Sequence, residues 1–188
     1  MKTIVLVGIP GSGKSSILKE IAHKRPSVAI VNYGDTMLEE SKAAGLTRDM
    51  LRKMPIASQQ EVGMRAAKKI MQDVDEITII DTHALVRTDN GFCPGLPKEI
   101  LKILSPKILA WVECPPSLIM QRRKSDASRT RDYETEENLM LHQELTRAYL
   151  SACSMETGAL LYGIENYDAS IEKNCQPFIQ LIDRLASG

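Results

Sequence analysis

A chain of 188 residues, 43% of them hydrophobic, carries enough apolar material for one α/β core with room for a small insert. Lys and Arg together number 24, as do Asp and Glu, so the formal net charge is zero. That balance argues against sequence-independent binding of nucleic acid, which draws on excess positive charge. No stretch reaches the ~18 uninterrupted apolar residues of a membrane span. Cys93, Cys114, Cys153 and Cys175 are scattered, with no CxxC pair and only three histidines in the chain, so a zinc-site spacing is missing. They read as free, mostly buried thiols of a reducing compartment.

Taken in chain order, the first element is a short aliphatic strand over residues 3–7. With Lys2 in front of it, the N-terminus begins like a signal peptide. The run ends in a Gly-Ser-Lys loop rather than a small-residue cleavage site, which predicts a cytoplasmic, unanchored protein. That loop is Gly8-Ile9-Pro10-Gly11-Ser12-Gly13-Lys14-Ser15, a match to G-x-x-x-x-G-K-[ST] at every defined position. It follows a strand and opens a helix over residues 14–24, whose inner face carries Ile17, Leu18 and Ile21. Glycines let such a backbone fold into a nest of N–H groups aimed at phosphate oxygens, and the helix N-terminus adds partial positive charge. Lys14 is expected to reach the β- and γ-phosphates of a nucleotide, and the Ser15 hydroxyl to ligate Mg²⁺. The alternative, a glycine-rich turn with an exposed lysine, does not account for strand, loop and helix coming together here.

A second buried strand is expected over residues 28–31, followed by Asn32-Tyr33-Gly34-Asp35. Asp35 reads either as an acidic group at the edge of the sheet or as the N-cap of a helix through Met37-Leu38-Glu39-Glu40. Residues 56–72 form a helical pattern through Val62, Ala66, Ile70 and Met71. The run over 77–80 ends in Asp81, which belongs at the carboxyl edge beside the loop, where a carboxylate holds Mg²⁺ directly or through water. Residues 83–97, with Asn90-Gly91, Pro94-Gly95 and Pro97, make a loop or irregular hairpin. His83 within it is open between a functional and a structurally satisfied role, whereas His142 reads as structural.

Strands over 108–112 and 159–164 and a final helix over 170–185 complete a βαβ alternation, the signature of a parallel sheet flanked by helices. Between these two strands, residues 122–132 are short and polar and hold Arg122, Arg123, Arg129 and Arg131. The alternative is a solvated charge run, but four planar guanidinium forks suit phosphate. No asparagine precedes a lysine, so the guanine-reading Asn-Lys-x-Asp of GTPases is missing. The P-loop with an arginine segment therefore points to phosphoryl transfer, with a non-enzymatic ATP-binding sensor as the reading from another class.

Several longer motifs go beyond the P-loop. Asn32-Tyr33-Gly34-Asp35, Asp81-Thr82-His83 with Arg87-Thr88, and Gly91-Phe92-Cys93-Pro94-Gly95-Leu96-Pro97 form one set. Arg122-Arg123 with Arg129-Thr130-Arg131-Asp132, and His142-Gln143-Glu144-Leu145-Thr146-Arg147 followed by Thr157-Gly158-Ala159, form another. Together they resemble the archaeal-type adenylate kinases over nearly the whole chain. The resemblance implies one nucleoside-monophosphate-kinase domain with a five-stranded parallel sheet. Its core would span residues 1–34, 74–121 and 133–188, with an AMP-side segment over 35–73 and a lid over 122–132.

The same resemblance implies the reaction of MgATP with AMP to give two ADP. A kinase for CMP or UMP on the same scaffold is the near alternative. Gly8, Ile9, Pro10, Gly11, Ser12, Gly13, Lys14, Ser15 and Ser16 would hold the ATP phosphates. Gly34, Asp35, His83 and Arg87 would lie on the AMP side, while Arg123, Arg129 and Arg131 would close over the phosphates. Bacterial and eukaryotic relatives carry an arginine shortly after Gly-Asp where this chain has Met37-Leu38, so Arg48, Arg52 or Arg87 would meet the AMP phosphate. A homo-oligomer, specifically a trimer, is implied by resemblance alone.

Overall fold

The computed structural model describes residues 1–42, 45, 50–51, 54–88, 90–125, 135–167 and 170–187. Strand β1 (Lys2–Val7) leads into helix α1 (Lys14–Lys24), then β2 (Ala29–Asn32) and α2 (Tyr33–Lys42). Helix α3 (Ile56–Gln72) returns the chain to β3 (Ile77–Thr82). A hairpin of β4 (Leu85–Thr88) and β5 (Gly91–Pro94) and helix α4 (Lys98–Leu104) precede β6 (Ile108–Glu113). Helices α5 (Pro116–Ser125) and α6 (Glu136–Thr157), strand β7 (Leu160–Glu165) and helix α7 (Ile171–Ser187) follow.

Among the described residues the main sheet has five strands in the order β2-β3-β1-β6-β7, every pairing parallel. The expected five-stranded parallel sheet is therefore present. Parallel neighbours need crossovers, and these place helices on both faces. Alternation along β1 shows the consequence. Ile4 and Leu6 point into one core with Ile17 and Ile21 of α1 and Phe178, Ile179 and Ile182 of α7. Val5 and Val7 point into the other with Ala66 and Ile70 of α3, Leu104 of α4 and Leu150 of α6. All four β1 residues are fully buried, which is why this strand reads as an unbroken aliphatic run rather than an alternating one.

The connections leave β1 and its neighbour β6 toward opposite edges of the sheet, so a crevice opens at their carboxyl ends. The register brings Leu6 opposite Asp81 and Asn32 opposite Asp81, so the ends of β1, β2 and β3 meet at one place. The segment over 83–97 is an antiparallel hairpin, with Arg87 opposite Phe92. Phe92 in turn lies against His142 of α6, ring centroids 4.8 Å apart. All four cysteines are free, and Cys114, Cys153 and Cys175 are buried. Among the described residues no helix is long and apolar enough to cross a membrane.

Candidate active site

The loop between β1 and α1 turns on two glycines with left-handed backbone, Gly11 and Gly13, each at φ 93°. Gly13 is constrained twice. Its φ disfavours any side chain, and a Cβ there would lie 2.2 Å from Nδ2 of Asn166. Gly13 is also the N-cap of α1, which has no side-chain cap and no acidic residue in its first turn. The positive end of the helix is thus left open to an anion. Ser15 and Ser16 sit exposed on that first turn. Ser12 is fully buried, and its hydroxyl oxygen has no partner among the described residues.

Lys14 folds back onto the end of β3. Its Nζ donates to the Thr82 carbonyl at 2.6 Å and pairs with the Asp81 carboxylate, whose other oxygen accepts from Asn32 Nδ2 at 2.8 Å. Burial holds the Lys14 amine below the usual lysine range, and the neighbouring Asp81 charge offsets this only in part. A buried ammonium that is incompletely compensated is disposed to a stronger anion than one carboxylate, and a polyphosphate is one.

His83 joins the hairpin to the loop: its Nδ1 donates to the Gly8 carbonyl at 3.1 Å, leaving Nε2 without a proton in the neutral ring. Surrounding protein, and then the Lys14 charge, push the imidazole down to about 4, although part of the residue faces solvent. At neutral pH His83 is uncharged. From the other side come two arginines of α5. Arg123 spans the Pro10 carbonyl with Nε at 2.9 Å and Nη2 at 2.6 Å, and Arg122 Nη1 reaches the Ser12 carbonyl at 3.2 Å. The Pro10 and Ser12 carbonyls are thus held by cations from the α5 side of the loop.

Among the described residues no group of three or more His, Cys, Asp or Glu side chains is arranged for a metal ion. Oxygen donors at this edge include the Asp81 carboxylate and the exposed Ser15 hydroxyl. One or two hard oxygen ligands are what Mg²⁺ takes from a protein when phosphate and water complete its octahedron.

The family profile described as an AAA domain matches residues 7–140. The adenylate kinase of Pyrococcus furiosus is 40% identical over 185 residues, covering 96% of this chain and 94% of that one. That of Thermococcus kodakarensis is 39% identical over 189 residues, with 98% and 96% covered, and that of Methanopyrus kandleri 36% over 187, with 97% and 98%. The chain belongs to the adenylate kinase family. Among solved structures, the shikimate kinase of Bacteroides thetaiotaomicron superposes with a TM-score of 0.62 at 14% identity, covering 97% of this chain and 98% of that one. At that identity the likeness concerns the P-loop kinase fold alone.

Within this adenylate kinase chain the structure gathers residues 8–14, Asp81, His83 and Arg123 around one loop. Gly34 and Asp35 stand exposed at the start of α2, one strand away from Asp81. The helix cap there belongs to Asn32, whose Oδ1 accepts from the Asp35 N–H at 3.0 Å. The alternative of Asp35 as N-cap is thereby corrected: α2 starts two residues before it, at Tyr33, and places Asp35 in its first turn. Arg87 lies on the separate hairpin and is exposed. Arg129, Arg131, Arg48 and Arg52 lie outside the described residues. Sequence reasoning did not single out Asn32 or Asn166 as parts of this arrangement. Asn32 carried a signal, since asparagine before a helical pattern is a strong cap; Asn166, 154 residues from Ser12, carried none.

Proposed function

We propose that this chain catalyses reversible phosphoryl transfer from MgATP to AMP, giving two ADP, with the residues around the loop in the following roles. The observation that carries the reading is the buried Lys14, held at the mouth of a left-handed glycine nest beside Asp81. Residues 8–16 cradle the ATP phosphates, and Lys14 leaves Asp81 and Thr82 to meet the β- and γ-phosphates. Mg²⁺, held by Ser15 and by Asp81 directly or through water, supplies neutralisation of charge shared between the phosphates when bound. Freed from Lys14, the Asp81 carboxylate is available for that purpose while Asn32 keeps it oriented.

The acceptor is an already ionised phosphate, so the chain needs no strong general base. Its task is alignment and charge neutralisation. Arg123, with Arg129 and Arg131 of the segment over 122–132, moves over the phosphates and excludes water. Residues 35–73 form the AMP-side segment, with Gly34 and Asp35 at its entrance, and His83 and Arg87 face the AMP from outside it. A neutral His83 suits this placement as a hydrogen-bonding neighbour rather than a charged one.

We also infer a homo-oligomer, specifically a trimer. What supports self-association is α6: Leu141, Leu145, Ala148, Ala152 and Met155 recur at spacings of four and three along its solvent face. The larger ones are open, at 47% for Leu141, 36% for Leu145 and 88% for Met155. An exposed stripe of this period is the pattern by which helices pack against copies of themselves.

The test of the reaction is a coupled assay of ADP formation from MgATP with AMP, CMP, UMP or GMP, beside an acceptor-free control. Fast ADP formation with AMP alone is expected. Preference for another monophosphate would move the substrate assignment. No turnover above the control would leave an ATP-binding sensor instead.

A further inference from the structure

One buried side chain touches the loop and has no place in the mechanism above. Asn166 follows β7, is fully buried, and donates from Nδ2 to the Ser12 carbonyl at 2.7 Å. Its own backbone N–H is anchored to the Glu113 carbonyl at 2.8 Å, so β6 and β7 together set its position. Its side-chain oxygen accepts from Asn174 Nδ2 of α7 at 3.1 Å. A primary amide has one accepting and one donating end; the Ser12 carbonyl only accepts, so the nitrogen faces Ser12 and the oxygen is left to Asn174.

In a planar trans peptide the carbonyl and the following N–H point in opposite directions. Holding the Ser12 carbonyl toward Asn166 therefore turns the Gly13 N–H away from it, to the crevice side of the loop. The close approach requires glycine at position 13, since any Cβ there would overlap Asn166 Nδ2. Glycine and asparagine form one device, although 153 positions separate them in sequence.

We propose that Asn166 is a positioning residue for the phosphate cradle, fixing the peptide between Ser12 and Gly13 so that the Gly13 N–H faces ATP, with Asn174 bracing its amide. The inference rests on the reading that this loop binds ATP. Arg122 shares the same carbonyl, so loss of Asn166 loosens the cradle without releasing it. The effect belongs to ATP and not to AMP.

The experiment is steady-state kinetics of the full chain, wild type beside Asn166→Leu and Asn174→Ala, with KM measured separately for MgATP and AMP. Leucine keeps the branched shape of asparagine, with the same number of side-chain heavy atoms, and cannot donate. Asn166→Leu is expected to raise KM for MgATP about tenfold, the size of one net hydrogen bond, with KM for AMP within about twofold of wild type. Asn174→Ala is expected to raise KM for MgATP about threefold, because the Asn166 amide then loses the partner that braces its oxygen. The double variant is expected to be no worse than Asn166→Leu, since both act through one bond.

Should Asn166→Leu fail to fold, Asn174→Ala, at a partly exposed position, carries the test by the same split. Wild-type KM for MgATP in every folded variant would overturn the inference. So would equal rises for ATP and AMP, the mark of general loosening. A wild type that makes no ADP would overturn the underlying reading as well, and so is distinguished from failure of this inference alone.

Discussion

Replacing Lys14 by methionine keeps most of the aliphatic stem and removes one positive charge from the crevice. The structure allows the two consequences to be weighed separately. Lys14 and Asp81 side chains are only 11% and 13% exposed, so their pairing is not a solvent-screened surface contact. Yet burial lowers the Lys14 pKa despite Asp81, which means that the charged amine is disfavoured in the folded chain. The sign follows from linkage. A lysine whose folded pKa lies below its unfolded 10.5 costs stability at neutral pH, and stability rises with pH between the folded value and 10.5.

Removing the amine relieves that cost, while Asp81 loses a cation but keeps the Asn32 amide. The two changes oppose one another, so the net effect on stability is expected to be about 1 kcal/mol or less, a shift of roughly 2–4 °C in Tm for a chain of this size. Loss of a charge aimed at the transferring phosphoryl group is worth much more, ~10³-fold in kcat or ~4 kcal/mol. Coupled ADP formation and thermal unfolding, measured on the same preparation, separate the two. Activity within tenfold of wild type, or a Tm collapse that accounts for the loss, would refute the argument.

Arg123→Ala is expected to raise KM for MgATP by about tenfold with Tm nearly unchanged, and Arg123→Lys to rescue little, because an ammonium cannot span the Pro10 carbonyl with two donors; full rescue by lysine would show that charge alone matters. His83 binds its proton more weakly folded than unfolded, between about 4 and 6.5, so stability should fall as pH drops through that window. Burial, Lys14 and His142 act against the charged ring, with the Gly8 carbonyl and Asp81 opposing them. Denaturant midpoints at several pH values for wild type and His83→Gln test this, and parallel curves would contradict it. Leu145→Glu, alone or with Leu141→Glu, is expected to lower the particle mass in light scattering toward that of one chain; an unchanged mass would remove α6 from the interface.

Strands β1, β3 and β6 were legible to within two residues because each is covered on both faces, and full coverage leaves a bare aliphatic run in the sequence. Helices α1 and α3 were legible for a related reason, having one buried face against one polar face. Helix α6 escaped the periodicity reading. Its inward face carries His142, Gln143 and Thr146, while its outward face carries Leu141 and Leu145, so its pattern is inverted along part of its length. Only once the sheet is assembled does that outward stripe become recognisable as surface.

The same division runs through the site. Strand, glycine nest, lysine and helix N-terminus lie within one short stretch, so local chemistry was enough to place the phosphate loop from residues alone. What surrounds that loop was decided by the packing of the sheet. Parallel strands bring their carboxyl ends to one edge whatever their separation in the chain. That edge sets Asn32 and Asp81 beside Lys14, the Gly8 carbonyl at His83, and Asn166 behind Ser12. Side-chain hydrogen bonds leave no periodicity in a sequence, and contacts of this kind become visible only when the strands are in register.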